Sequence, residues 1–245
     1  MKCKILLLSV FVSITLAGNG QTDKKPITLE DIWKNYTFYA KGIRGLKSMN
    51  DGEHYTTIEK GTAIVKYKYK TGELVDTIIS VSRMANPLLK AIPNYEFDNS
   101  ETKILIYIND KELYRRSFTA DYYVYDLKLG KLISVSDNGQ QRLASFSPDG
   151  TKVAFIRDNN LFLKNLTDLS ETQLTTDGKF NEVINGAPDW VYEEEFGMYK
   201  AFEWSPDGKF IAFIRFDESN VKEYSMLYYK RSEERRVGKE CRSRW

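Results

Sequence analysis

The stretch Phe146-Ser-Pro-Asp-Gly150 decides the fold, because it recurs as Trp204-Ser-Pro-Asp-Gly208. A basic residue and a short apolar run follow each copy, at 153–157 and at 211–215. Proline fixes φ at the first turn position and Asp-Gly supplies the chain reversal, so each copy predicts a turn before a strand. Looser copies at 49–52 and 97–102 give a turn spacing of about 47 to 58 residues, a period typical of propeller blades.

Hairpins are expected around these turns. In the third repeat, 153–157 is expected as an inner strand, 161–165 as its partner and 173–175 as an outer edge strand. Two further hairpins are predicted, 63–69 with 74–79 and 122–126 with 131–135. Short strands with a long repeat predict an all-β fold, a partial β-propeller of about three to four blades. A β-sandwich explains the strands but not the recurring turn.

The amino-terminal region carries two further signals. Ile5 to Ala17 is an apolar run after Lys2 and Lys4, which predicts a secretion signal over 1–20 and a periplasmic or extracellular location. A buried first strand is the alternative. Thr28, followed three residues later by Asp31, then predicts the start of a short capped helix.

The last residues break the pattern of the chain. From 231 to 245 the sequence is rich in Arg and Glu, has no apolar period, and is similar to the in-frame translation of a sequencing-library adapter. We interpret 231–245 as a non-native tail, which makes 26–230 the propeller part. A genuine basic tail that binds acidic partners is the alternative.

Composition excludes several classes of function. The formal net charge is +2, with both signs mixed along the chain, which argues against nucleic-acid binding and, after signal removal, against a membrane role. One histidine, His54, and two cysteines, Cys3 and Cys241, make a metal site unexpected. The sequence therefore predicts neither metal nor cofactor.

The segment Asp189-Trp-Val-Tyr-Glu-Glu-Glu-Phe196 carries the candidate chemistry. Three consecutive carboxylates beside aromatic residues repel one another, and a cation would relieve that repulsion. A free peptide amino terminus, an ammonium with three donors, fits two carboxylates well. From the residues alone, a solvated acidic turn remains the alternative.

This motif, together with Trp204–Gly208, Phe216-Asp217 and Glu223-Tyr-Ser225, resembles the propeller of the dipeptidyl peptidase IV family. The resemblance covers roughly 26–230 and implies an eight-bladed ring in the full-length protein. It implies that Glu194 and Glu195 clamp the amino terminus of a peptide substrate. The segment 114–120 is similar to the one that carries the family's substrate-facing arginine, which implies that role for Arg115, with Arg116 as its neighbour; Tyr114 stands where tryptophan is more usual.

The resemblance implies that the parent protein is a secreted serine exopeptidase releasing dipeptides with proline or alanine second, and that it can form a homodimer. Such peptidases carry their nucleophile in a Gly-x-Ser-x-Gly elbow. No such elbow occurs between 1 and 245, so no catalytic residue is predicted in this chain. A prolyl tripeptidyl peptidase, a catalytically dead relative and a non-enzymatic periplasmic propeller are the alternatives.

Overall fold

The computed structural model describes residues 26–40, 42–43, 45–84, 86–223, 228–230 and 233–235. The predicted signal segment, 1–20, lies outside these residues, as does the predicted foreign tail apart from the backbone of 233–235. The chain divides into two units after Gly42. No helix in the described ranges is long and apolar enough to cross a bilayer.

The first unit contains the predicted short helix, α1, over Leu29–Trp33. Its N-cap is Thr28, whose hydroxyl accepts the backbone N–H of Asp31, while the Asp31 carboxylate accepts the backbone N–H of Thr28. This reciprocal pair satisfies two N–H groups that the first turn of a helix leaves without an intrahelical partner. The capped helix predicted from the sequence is confirmed.

The second unit is built from antiparallel sheets, as the sequence predicts. Three of them have four strands each, connected in chain order. Their strands are β1 Lys47–Ser48, β2 His54–Glu59, β3 Ala63–Lys68 and β4 Leu74–Ser80 in sheet 1; β5 Tyr95–Phe97, β6 Lys103–Glu112, β7 Phe118–Asp126 and β8 Lys131–Ser134 in sheet 2; β9 Arg142–Phe146, β10 Lys152–Arg157, β11 Asn160–Asn165 and β12 Glu171–Gln173 in sheet 3.

The three predicted hairpins are confirmed as β3–β4, β7–β8 and β10–β11. The expectation that 153–157 is an inner strand is confirmed, because β10 pairs with β9 on one side and β11 on the other. One edge of the sheet is β9, whose residues 142–146 precede the Ser-Pro-Asp-Gly turn, and the other edge is β12.

The fourth repeat contains two strand pairs. β13 Val183–Asn185 pairs with β16 Arg215–Asp217, and β14 Phe202–Trp204 pairs with β15 Ile211–Phe213. Backbone hydrogen bonds among Gly186, Ala201 and Ile214 join the two pairs, which are together called sheet 4. The backbone of a last hairpin is formed by β17 Tyr228–Lys230 and β18 Glu233–Arg235. Three complete sheets and part of a fourth make this a partial β-propeller.

Each middle sheet is buried on both faces, and this explains its apolar strands. In β6, Ile104 and Ile106 belong to the core between sheets 1 and 2, while Leu105 belongs to the core between sheets 2 and 3. In β10, Phe155 faces sheet 2 and Ile156 faces sheet 4. Since successive side chains of a strand point to opposite faces, a run without polar interruption is what stacking of sheets requires.

The two Ser-Pro-Asp-Gly turns have the same hydrogen bonds. In the first, Ser147 Oγ accepts the N–H of Lys152 at 3.0 Å and donates to Asp149 Oδ1 at 2.6 Å, and Gly150 has φ of +65°. In the second, Ser205 Oγ makes the matching bonds with Phe210 and Asp207, and the glycine again has positive φ. The repeated tetrapeptide therefore encodes a repeated turn.

Successive turns also contact each other across the sheets. Asn50 Nδ2 donates to the carbonyl of Asn99 at 2.8 Å, and Asn99 Nδ2 donates to the carbonyl of Pro148 at 2.9 Å. These residues are spaced by 49, whereas Pro206 follows Pro148 by 58. The additional residues of the fourth repeat accommodate the helix that carries the acidic motif.

Candidate functional site

The acidic motif forms a helix, α2, over Trp190–Phe196. Asp189 is its N-cap and accepts the N–H of Tyr192 at 2.9 Å, and Gly197 ends it in the left-handed conformation at φ of +67°. Tyr192 packs edge-on against Phe216 of β16, with ring centroids 5.0 Å apart. A cap, a glycine stop and an aromatic contact thus position the acidic motif as a helix.

The three glutamates of α2 point in different directions, because successive residues of a helix are rotated by about 100°. Glu193 is fully buried, the side chain of Glu194 is 14% exposed and Glu195 is exposed. The sequence alone predicts one cluster of mutually repelling carboxylates. The helix instead separates one inward carboxylate from two that face the surface.

The predicted arginine lies in the loop between β6 and β7, at the end of the long hairpin of sheet 2. Leu113 and Tyr114 both donate their N–H groups to the carbonyl of Ser117, which closes this loop tightly. Arg115 and Arg116 occupy its tip, and the side chain of Arg115 is 74% exposed. The loop therefore presents a cation on a short, hydrogen-bonded turn.

The structure brings this loop and α2 together at three points. Arg115 Nε lies 3.4 Å from Glu194 Oε2, and the backbone N–H of Arg116 donates to Glu193 Oε1 at 2.8 Å. A Cβ on Gly197 would lie 2.9 Å from Arg116 Nη1, so this guanidinium lies against the carboxyl end of the helix. A cation at that end is favourable, since the last carbonyls carry a partial negative charge.

A cavity of about 260 Å³ opens beside the same loop. Aromatic residues form much of its wall, and Lys47 and Glu96 add charge; the aromatic members are Tyr95, Tyr107, Phe118, Tyr122 and Tyr199. Burial raises the pKa of Glu96, against the opposing effect of the Lys47 charge. Arg116 and Ser117 also line it, so the cavity and the arginine loop share a wall.

This arrangement can bind a cation beside a carbonyl. Glu194 and Glu195 are adjacent carboxylates at the electronegative end of a helix, and both can accept bonds from an ammonium. The exposed guanidinium of Arg115, which pairs with Glu194, can donate its N–H groups to a carbonyl oxygen. Because the Arg115 side chain is largely exposed, its pair with Glu194 adds only about 0–1 kcal/mol of stability, so a ligand can rearrange the arginine at small cost.

The sequence did not single out Glu193, the first glutamate of the run, as the buried member that accepts the N–H of Arg116. No local signal identifies it, since the same residue type occurs at all three positions. His54 lies in β2 with Nδ1 2.7 Å from Asp51 Oδ2, far along the chain from the acidic motif.

Comparison with known proteins shows which family the chain resembles. The family model for the dipeptidyl peptidase IV (DPP IV) N-terminal region matches residues 98–241. Human prolyl endopeptidase FAP is 32% identical over 230 residues, which is 92% of this chain and 29% of the relative. A probable dipeptidyl-aminopeptidase B from Talaromyces stipitatus is 44% identical over 130 residues, 51% of this chain and 14% of the relative.

Among solved structures, the crystal structure of Porphyromonas gingivalis dipeptidyl peptidase 4 superposes with a TM-score of 0.78 at 44% identity. The alignment covers 85% of this chain and 30% of that protein. The chain thus spans less than a third of the length of these relatives. Since the family model covers more than half of the chain and the propeller superposes, the chain belongs to the dipeptidyl peptidase IV N-terminal region family.

Proposed function

We propose that this chain is the substrate-docking part of a secreted serine exopeptidase that releases amino-terminal dipeptides with proline or alanine second. The observation that carries the proposal is the contact between Arg115 and Glu194, at 3.4 Å, with Glu195 beside it on the same helix. Membership of the dipeptidyl peptidase IV family supports it.

In this proposal Glu194 and Glu195 bind the ammonium of the substrate and Arg115 binds the carbonyl of its first residue. The helix holds the two carboxylates and the loop holds Arg115 at a set distance from them. A substrate can therefore bind only with its free amino terminus at the carboxylates. The scissile bond would then lie a fixed number of residues away, at a nucleophile supplied by a part of the protein outside these 245 residues.

The test uses the product of the complete gene and a matched pair of substrates, one with a free and one with an acetylated amino terminus. Glu194→Gln and Glu195→Gln keep the shape of each side chain and remove its charge. Removing one partner of a desolvated charge pair costs about 2–4 kcal/mol, which corresponds to a loss of about 30- to 1000-fold in kcat/KM.

The blocked substrate is expected to be rejected by the wild type to a similar degree, and the preference for the free substrate should shrink in each variant. Glu182→Gln is the control, because Glu182 is an exposed carboxylate of the same part of the chain that pairs with Lys179, outside the site. Equal cleavage of free and blocked substrates by the wild type would refute the clamp.

A further inference from the structure

The ion pair between Arg115 and Glu194 does not by itself fix the arginine loop, residues 113–117. The side chain of Arg115 is 74% exposed and lies 3.4 Å from the carboxylate, and an exposed pair of this kind adds little to stability. A long side chain also samples many rotamers, so its average position follows that of its backbone. The position of Arg115 therefore depends on how the backbone of the loop is held.

A hydrogen bond from a buried carboxylate joins this backbone to α2. Glu193 is 0% exposed, and its Oε1 accepts the backbone N–H of Arg116 at 2.8 Å, across 77 positions of the chain. Its Oε2 is buried and has no hydrogen-bond partner within the described ranges. Among the described residues, the hydrogen bonding of this side chain is thus directed to the arginine loop.

We propose that Glu193 is a positioning residue that fixes the arginine loop at the distance from α2 at which Arg115 meets Glu194. The hydrogen bond and the ion pair lie side by side, because each joins one of two consecutive glutamates to one of two consecutive arginines. Fixing the N–H of Arg116 therefore fixes the backbone from which Arg115 extends. In this role Glu193 contacts no substrate and acts through the loop.

The loop can transmit this restraint because it is closed on itself. The N–H groups of Leu113 and Tyr114 bond to the carbonyl of Ser117 at 2.9 and 3.2 Å, and Ser117 is buried. Arg116 also lies against the end of α2, since a Cβ on Gly197 would be 2.9 Å from its Nη1. The tip is thus a closed turn that meets one helix through both its backbone and a side chain.

The Arg116 N–H needs an acceptor rather than a negative charge, and this separates Glu193 from the clamp carboxylates. Glu193→Gln keeps an oxygen for the N–H, whereas Glu193→Leu leaves the donor without its acceptor, which is costly. At Glu194 and Glu195 the same change to glutamine should be damaging, because an ammonium is bound by charge. The effect of Glu193 on catalysis rests on the proposed function, whereas its effect on the loop does not.

The first measurement is amide hydrogen exchange in the product of the complete gene, resolved to single residues by fragmentation of a peptide covering 113–118. In the wild type, the Arg116 amide should exchange at least about 100-fold more slowly than in an unstructured peptide. Its exchange should become at least about 10-fold faster in Glu193→Leu and stay within about threefold of the wild type in Glu193→Gln.

The second measurement is steady-state kinetics on a substrate with a free amino terminus. Glu193→Leu should raise KM by about 10-fold or more, with a smaller change in kcat, and Glu193→Gln should keep KM within about threefold of the wild type. In an Arg115→Met background, the further effect of Glu193→Leu on kcat/KM should shrink to about twofold or less, because the loop then has no guanidinium to position.

Asn160→Leu is the matched control. Asn160, in β11 of sheet 3, is 6% exposed, and its side-chain oxygen accepts the backbone N–H of Gly178 at 2.8 Å. The variant removes a comparable acceptor from another repeat, so it should change neither the exchange of the Arg116 amide nor KM.

An unprotected Arg116 amide in the wild type, or wild-type exchange in Glu193→Leu, would overturn the positioning role. So would an undiminished effect of Glu193→Leu in the Arg115→Met background, since the loss would then not pass through the arginine. If Glu193→Leu does not fold, Glu193→Ser replaces it with the same expectations. If neither folds while Glu193→Gln does, the residue supports the fold itself, and the positioning role is overturned.

The proposed clamp can fail separately. Fast exchange of the Arg116 amide in Glu193→Leu, prevented in Glu193→Gln, combined with equal cleavage of free and acetylated substrates by the wild type, would uphold the role of Glu193 in the loop and refute the clamp. Unchanged exchange in Glu193→Leu, combined with rejection of the acetylated substrate, would overturn the role of Glu193 and uphold the clamp.

Discussion

The Ser-Pro-Asp-Gly turns provide a sharp test of how tertiary contacts modify a repeated local structure. Gly52, Gly150 and Gly208 occupy corresponding positions, with φ of +70°, +65° and +68°. Alanine in this left-handed conformation costs about 1–2 kcal/mol, and the lower entropy of the unfolded alanine chain returns about 0.4–1 kcal/mol. Backbone strain alone thus predicts that Gly→Ala lowers the free energy of unfolding by about 1 kcal/mol at each of the three positions.

The surroundings of the three glycines differ. A Cβ at Gly52 meets nothing within 4 Å, and one at Gly208 makes an ordinary 3.5 Å contact with Pro148. A Cβ at Gly150 would lie 2.6 Å from Asp98 Oδ2, a separation too short for real atoms. Either the turn or the carboxylate of Asp98 must move in Gly150→Ala.

Asp98 cannot move freely. It is buried, and its Oδ1 accepts the N–H groups of Thr102 at 2.8 Å and Lys103 at 2.6 Å while Ser100 donates to Oδ2. Burial by itself would raise the pKa of Asp98, but these bonds hold it below its usual value. Weakening one such charge-assisted hydrogen bond costs about 1.5–3 kcal/mol. Together with the backbone strain of about 1 kcal/mol, Gly150→Ala should lower the free energy of unfolding by about 2.5–4 kcal/mol.

The assay is urea-induced unfolding of the three single variants and the wild type, followed by tryptophan fluorescence. Gly52→Ala and Gly208→Ala serve as internal controls, because they share the backbone strain and lack the contact. Gly150→Ala should unfold at a clearly lower urea concentration than either control. A free energy of unfolding for Gly150→Ala within about 0.5 kcal/mol of the controls would refute the reasoning about Asp98.

Three further predictions concern the helix cap, alkaline stability and the tail. Asp189→Ala should destabilise the protein by about 1 kcal/mol in urea unfolding, whereas Asp189→Ser, which keeps a cap, should lose less; equal losses would argue against the cap. Burial raises the pKa of Tyr95 to about 12, against the opposing hydrogen bond from Thr56. Since an unfolded tyrosine ionises near pH 10, the Tyr95 contribution is intact below about pH 10 and is lost toward pH 12. The urea midpoint should therefore fall less steeply with pH in Tyr95→Phe than in the wild type, and identical slopes would contradict this. Long-read genomic sequence of the source organism should lack the codons for 231–245, and finding them there would show that the tail is native.

Much of the fold could be predicted from local sequence. The turn tetrapeptides at 147–150 and 205–208 fix their own hydrogen bonds, because serine, proline, aspartate and glycine each supply a defined part of the turn. The hairpins 63–69 with 74–79 and 122–126 with 131–135 were also predicted from local sequence, because short strand-forming runs flank a turn. The reach of the long β6–β7 hairpin was not predicted, because Asn109 and Asp110 look like a turn but form a bulge, with Asn109 at φ of +53° and the pairing continuing to Glu112.

The candidate site, like the fold, could be predicted only in part from the sequence. The motif 189–196 and its family resemblance identified Glu194, Glu195 and Arg115 from the sequence, but only the tertiary structure brings Arg115 to within 3.4 Å of Glu194, 79 positions along the chain. Three identical glutamates in a row also cannot reveal which one is buried. That depends on which face of α2 meets the loop that carries Arg116, and helix rotation converts a uniform run into one fully buried and two more accessible carboxylates only after the sheets have packed.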